Sequence, residues 1–197
     1  LLPLDGSQLA EACLPAATSL AKTLEASVTL LHIIEENAPE SVHKDRHLTN
    51  PDEAEAYLKE VAERAFTKDI EVVTHVHTAQ VKDVPRSITE HIGEFRPDLI
   101  VMCAHGSGGI RALLFGGIAQ QVVAQGMTPL LLLQPATADK KPFHLRHILL
   151  PLDSESIHDD SLPFAEALAK AYRADLYLLS IVPTFGTLRG EEAATST

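Results

Sequence analysis

Apolar residues recur along this chain with two different periods. Leu1–Asp5 is a short apolar run ending in a turn, the pattern of a buried strand. Ser7 is placed as a helix N-cap. Leu9, Cys13, Ala17, Leu20, Ala21 and Leu24 then follow at helical spacing to about Glu25. Pro15 falls inside this pattern and either bends the helix or lies near a first turn. Val28–Ile34 is a second buried strand, and the polar stretch Glu35–Asn50 reads as a loop. Pro51-Asp52-Glu53 opens a helix that runs to about Thr67. Ile70–Thr78 alternates branched apolar with polar residues, as a half-exposed edge strand does. Val84–Phe95 is helical, Leu99–Cys103 a strand, His105–Gly117 a glycine-rich loop, Ile118–Gln125 a helix and Pro129–Leu133 a last apolar strand. Strands that alternate with helices predict an α/β fold, an open parallel five-stranded sheet covered by helices on both faces. The predicted strand order is 3-2-1-4-5. Ligands of such sheets bind beyond the strand carboxyl ends, where the order reverses.

The pattern then starts again. Leu1–Ile34 and Leu149–Val182 align without a gap at an offset of 148, with 15 identities in 34 positions. Average residue usage would give about two. LLPLD is common to both, as are Leu14-Pro15 with Leu162-Pro163 and Leu20-Ala21-Lys22 with Leu168-Ala169-Lys170. Solenoid units run to roughly 20–50 residues, so this longer spacing is a duplicated domain. The sequence predicts a complete domain over 1–135, a linker over 136–146, and over 147–197 the strand-helix-strand opening of a second copy. Two strands and one helix bury too little alone, so this partial copy needs a neighbour.

Composition narrows the function. The 197 residues carry a net charge of −11, which argues against a nucleic-acid or membrane partner. No apolar run reaches the roughly 20 residues of a bilayer span, and no basic leader is present. Two cysteines, Cys13 and Cys103, suit a reducing, cytoplasmic setting better than a disulfide framework. The chain opens on Leu1-Leu2-Pro3 without a Met, which implies preceding residues.

The strongest local chemistry lies after the fourth strand. Cys103-Ala104-His105-Gly106-Ser107-Gly108-Gly109 leads through Ile110–Phe115 to Gly116-Gly117-Ile118. Backbone N–H groups freed by glycine, beside a helix N-terminus, form an anion site suited to phosphate. A flexible loop that needs tight turns is the plainer reading. Asp5 and Asp153 end first strands, but the acidic pair, Asp and Lys of a phospho-acceptor site do not accompany them. P-loop and Gly-x-Gly-x-x-Gly motifs are absent. His75 and His77 share a strand face, and His43 and His47 have i,i+4 spacing. Neither pair has a third ligand nearby in sequence, so both read as solvated histidines and no metal site is predicted. Cys103 has no evident base and reads as a small core residue. No nucleophile–base–orienter set appears, so no enzyme is predicted.

The opening Asp-Gly-Ser, LLHII, the block DLIVMCAHGSGGIRALLFGGIAQQVV and the closing TPLLLLQP together resemble the universal stress protein family, from Leu1 to about Pro135 and again from about His147. The resemblance implies an adenine nucleotide alpha hydrolase-like fold. It also implies ATP or another adenine nucleotide as ligand, with or without magnesium. The family's nucleotide motif is Gly, two residues, Gly, nine residues, Gly, then Ser or Thr. Gly106 and Gly116 match its second half, while Cys103 replaces the first glycine and Gly117 the Ser or Thr. By resemblance, Asp5 would bond the ribose, and Pro3, Leu4 and Ile33 would wall the adenine. Gly106, Gly116, Gly117 and Ile118 would hold ribose and phosphates, with Cys103 and His105 at the ligand's edge. The implied function is a tandem-type stress-response sensor or regulator acting through a signalling partner. The alternative is a nucleotide-independent interaction or dimerisation module of the same fold. A third reading is an adenylyl-transfer or ATP-hydrolysing enzyme. Family members commonly pair the last strand, so a homodimer or pseudo-dimer through Pro129–Leu133 is implied.

Overall fold

In the computed structural model, which describes residues 1–42, 45–103, 118–125, 128–134, 143–152 and 161–180, strands and helices alternate as the pattern predicts. The chain divides into two units, Leu1–Phe143 and His144–Thr197. The first contains β1 (Leu2–Pro3), α1 (Gln8–Glu11), α2 (Leu14–Leu24), β2 (Val28–Glu35), β3 (Ser41–Val42), β4 (Asp45–Arg46), α3 (Pro51–Ala65), β5 (Val72–Val81), α4 (Val84–Phe95), β6 (Ile100–Cys103), α5 (Ile118–Gln125) and β7 (Leu130–Leu133). The second contains β8 (His147–Leu152), α6 (Ser161–Tyr172) and β9 (Asp175–Ser180). No described helix is long and apolar enough to cross a membrane.

The fold is α/β with parallel ladders. β2 is buried along nearly its whole length, as a central strand covered on both faces must be. It pairs with β1 on one side (Leu2 opposite Leu30) and with β5 on the other (Val28 opposite Val72). β6 and β7 form a second parallel ladder. Leu1 joins the two: its N–H donates to the Leu99 carbonyl at 2.9 Å, and Val101 N–H donates to the Leu1 carbonyl at 3.0 Å. β6 therefore adjoins β1 through two backbone bonds rather than a long ladder.

Alternation along β2 and β5 divides the core between the sheet's faces. Leu31 and Ile33 pack with Leu1, Ile88, Ile92, Ile100, Met102 and Val122 under α4 and α5. On α3, Ala54, Leu58 and Val61 share one helical stripe and are fully buried. β5 lies at a ladder edge and is nowhere fully buried, as its alternating pattern implies.

Some boundaries differ from the pattern. The predicted first helix is two, broken at Cys13, with Pro15 in the first turn of α2 where its missing N–H costs nothing. The predicted loop Glu35–Asn50 holds the antiparallel β3–β4 ladder, too short for any alternation to show. β5 runs on to Val81 past a register break between Ile33 and Glu35 of β2. The glycine loop with His105, Gly106, Gly116 and Gly117, and the linker core 136–142, lie outside the described residues.

Candidate functional site

Parallel pairing brings the carboxyl ends of β1 and β2 to one edge of the sheet. Leu4 N–H donates to the Leu31 carbonyl at 2.8 Å, which carries the pairing one residue past the end of β1. The Leu4 carbonyl in turn lies 2.7 Å from His32 Nδ1, and His32 Nε2 lies 3.0 Å from the Leu48 carbonyl. A neutral ring can donate to one of these oxygens, and an imidazolium to both. His32 thus pins the end of β1 and the approach to α3 to the central strand.

The turn that follows is fixed by its own polar groups. Asp5 Oδ1 accepts from Ser7 N–H at 2.9 Å and from the Ser7 hydroxyl at 2.6 Å. Ser7 Oγ accepts from Ala10 N–H at 3.1 Å and so caps α1. Between them Gly6 has φ +89, and a Cβ there would sit 2.8 Å from Leu48 Cδ1. Glycine suits both the dihedral and the space. These interactions hold the Asp5 carboxylate at the end of β1, beside buried Leu4 and half-buried Pro3. Ile33 is buried near the end of β2.

Cys103 ends β6 and is buried. It is hydrogen-bonded to the buried thiol of Cys13, the residue that precedes α2. That bond first, and burial second, push the Cys13 thiol far up, so it stays a protonated donor. The Cys103 side chain is therefore engaged with Cys13. Ile118 opens α5 and is partly exposed. A separate cleft of about 560 Å³ is lined by Glu11 of α1, residues of α2, the end of α3 and Phe143, and includes none of the expected nucleotide residues.

The solvated reading of His75 and His77 needs correction. Both are half-buried on β5, and with buried His91 of α4 they bring ring nitrogens within 4.8 Å of one another. His91 lies 14 positions beyond His77, on another element, and no local spacing connects them.

Residues 1–134 match the universal stress protein family. The chain belongs to that family. It is 26% identical over 141 residues to universal stress protein MJ0531 of Methanocaldococcus jannaschii, covering 68% of this chain and 80% of the relative. Among solved structures, one from Pseudomonas aeruginosa UCBPP-PA14 assigned to the universal stress proteins superposes with a TM-score of 0.68 at 16% identity, over 93% of this chain and 61% of that one. PA1789 of Pseudomonas aeruginosa PAO1, of unknown function, superposes with 0.64 at 17% identity, over 94% of this chain and 61% of its own. These likenesses bear on fold. In the universal stress protein domain of this chain, Pro3, Leu4, Asp5, Ile33, Cys103 and Ile118 are the described members of the expected nucleotide set.

Proposed function

We propose that this universal stress protein is an adenine-nucleotide-binding sensor or regulator of tandem type, cytoplasmic and without a catalytic centre of its own. The observation that carries the reading is the Asp5-Gly6-Ser7 turn, which holds a carboxylate beside the apolar residues Leu4 and Ile33. That arrangement fits a nucleoside: apolar walls for the base and a fixed acceptor for ribose hydroxyls. The glycine sequence that follows Cys103 would supply backbone N–H groups to the phosphates. Engagement of Cys103 with Cys13 accommodates the cysteine that replaces the motif's first glycine.

Calorimetric titration with ATP, ADP and AMP, with and without magnesium, tests this. The expected result is saturable one-to-one binding for at least one of the three. Asp5→Asn should weaken it by one to two decades, since a hydrogen bond to a charged group contributes about 1.5–3 kcal/mol. Absence of binding to all three at millimolar concentration would overturn the proposal.

A second reading is a nucleotide-independent interaction module. Gly117 lacks the hydroxyl of the family motif. The four leucines of β7 are half-buried, and in the described residues β7 pairs only with β6. Pairing through Pro129–Leu133 in a homodimer or pseudo-dimer would cover that strand. A dimer by analytical ultracentrifugation, together with no nucleotide binding, would favour this module.

A further inference from the structure

β5 and α4 meet in a cluster that the nucleotide reading does not use. His75 and His77 are two apart on a strand, so both project from one face. They lie opposite Leu31 and Ile33 of β2, the residues that pack under α4. Where that apolar layer reaches the sheet edge, imidazoles replace aliphatic side chains, and α4 contributes a third imidazole from His91.

The geometry is close to that of a metal centre. His75 Nε2 and His91 Nε2 stand 3.1 Å apart, and one ring nitrogen from each of the three residues falls within 4.8 Å of the others. Zinc–nitrogen bonds of about 2.0–2.1 Å in a tetrahedron require nitrogens roughly 3.3–3.4 Å apart. Small rotations of the half-exposed His75 and His77 rings would close the set. The His91 ring is already oriented: its Nδ1 lies 2.7 Å from the Ser87 carbonyl one turn earlier. An N–H donated there leaves the Nε2 lone pair facing the cluster, the outer-shell arrangement usual for metal-bound histidine. Phe95 walls the site, with ring centroids 5.1 Å from His75 and 5.6 Å from His91.

We propose that His75, His77 and His91 bind a divalent transition-metal ion of the zinc class through three ring nitrogens, with the fourth position left to water. The ion would tie the edge strand β5 to α4. In the metal-free state His75 Nε2–H can donate to His91 Nε2. On binding, the metal takes the place of that proton, which His75 then carries on Nδ1. No net charge is lost from the ligands. Half-exposed His75 and His77 leave a path from solvent.

Titration of the full chain with Co²⁺ tests the site, because four-coordinate Co²⁺ has strong visible bands that hydrated Co²⁺ lacks. The expected result is one such site per chain, displaced by one equivalent of Zn²⁺. His77→Gln, at a half-exposed position, should keep the fold by circular dichroism. It should weaken Zn²⁺ binding about 100-fold or more, at least as much as losing an outer-shell partner does. His91→Gln should abolish the bands, and His144→Gln, outside the cluster, should leave them unchanged. Bands that persist in a folded His75→Gln/His77→Gln double variant would overturn the proposal. So would weak octahedral Co²⁺ spectra alone, or bands lost only with His144→Gln, since either places any bound metal elsewhere. A hydrogen-bonded histidine cluster without metal affinity is the outcome that no bound Co²⁺ would establish.

Discussion

In their described residues the two copies of the strand-helix-strand segment share strand register and helix ending but have very different surroundings. Leu2 pairs with Leu30 in the first, and Leu150 with Leu178 in the second, the same register at an offset of 148. Both helices end on a left-handed residue with φ 52, Glu25 and Arg173. Both close with the same backbone bond, Ala26 N–H to the Ala21 carbonyl at 2.9 Å and Ala174 N–H to the Ala169 carbonyl at 2.8 Å. Burial then separates them. Leu1 and Leu30 are 8% and 0% exposed, while Leu149 and Leu178 are 63% and 58% exposed. The shared residues therefore specify a local backbone, and the core comes from what the first unit adds. There β5 pairs with the free edge of β2, β6 adjoins β1, and α3 and α4 pack against β2.

The largest effect should come from the paired leucines. Leu30→Ala removes a fully buried side chain and should cost about 2–5 kcal/mol. Leu178→Ala, at a mostly exposed position, should change stability by less than about 0.5 kcal/mol. Urea unfolding of both variants measures the difference. Equal losses would mean that the second copy's leucines are buried in solution, and the comparison would fail.

Gly6→Ser transplants the second copy's Ser154 into the first. The left-handed φ of +89 should make this cost about 1–3 kcal/mol, and a Cβ 2.8 Å from Leu48 Cδ1 and 2.9 Å from Leu48 Cγ forces the Leu48 side chain to shift as well. If the turn shifts, Asp5 shifts with it, and nucleotide affinity should fall along with the melting temperature.

The smallest effect is a pH dependence confined to the second copy. Glu166 pairs with Lys170 at 2.5 Å, and that hydrogen bond and charge hold the Glu166 carboxyl below its usual range. A depressed carboxyl stabilises the folded state above its unfolded pKa. That contribution is lost as pH falls through the folded value. Helix signal from α6 should therefore weaken slightly on acidification, and Lys170→Ala should remove the dependence. Position 18 of the first copy holds Thr18, whose hydroxyl donates to the Ala65 carbonyl at 3.0 Å, so no such dependence is expected there.

These contrasts mark what sequence patterning carries. Val84–Phe95 has both ends in its residues: Asp83 accepts from Arg86 N–H, Pro85 lies in the first turn, and Arg96 takes the left-handed close. The strands and their edge are legible in the same way, from alternation and apolar runs. At the site, Asp5, Gly6 and Ser7 can be read because their interactions are local. The break at Cys13 is hidden because helical spacing continues across it and Pro15 is tolerated in a first turn. The Cys13–Cys103 contact and the approach of His91 to His75 and His77 depend on which helix crosses which strand, and periodicity does not encode that.

Hydrogen exchange of the whole chain, with and without saturating ATP, tests the central claim most directly. The account expects added protection at the carboxyl ends of β1 and β2 and at the start of α5, around residues 4–7, 33–36 and 118–120, and none at residues 152–155 of the second copy. Unchanged exchange throughout the first unit at millimolar ATP, or protection confined to the second copy, would contradict it.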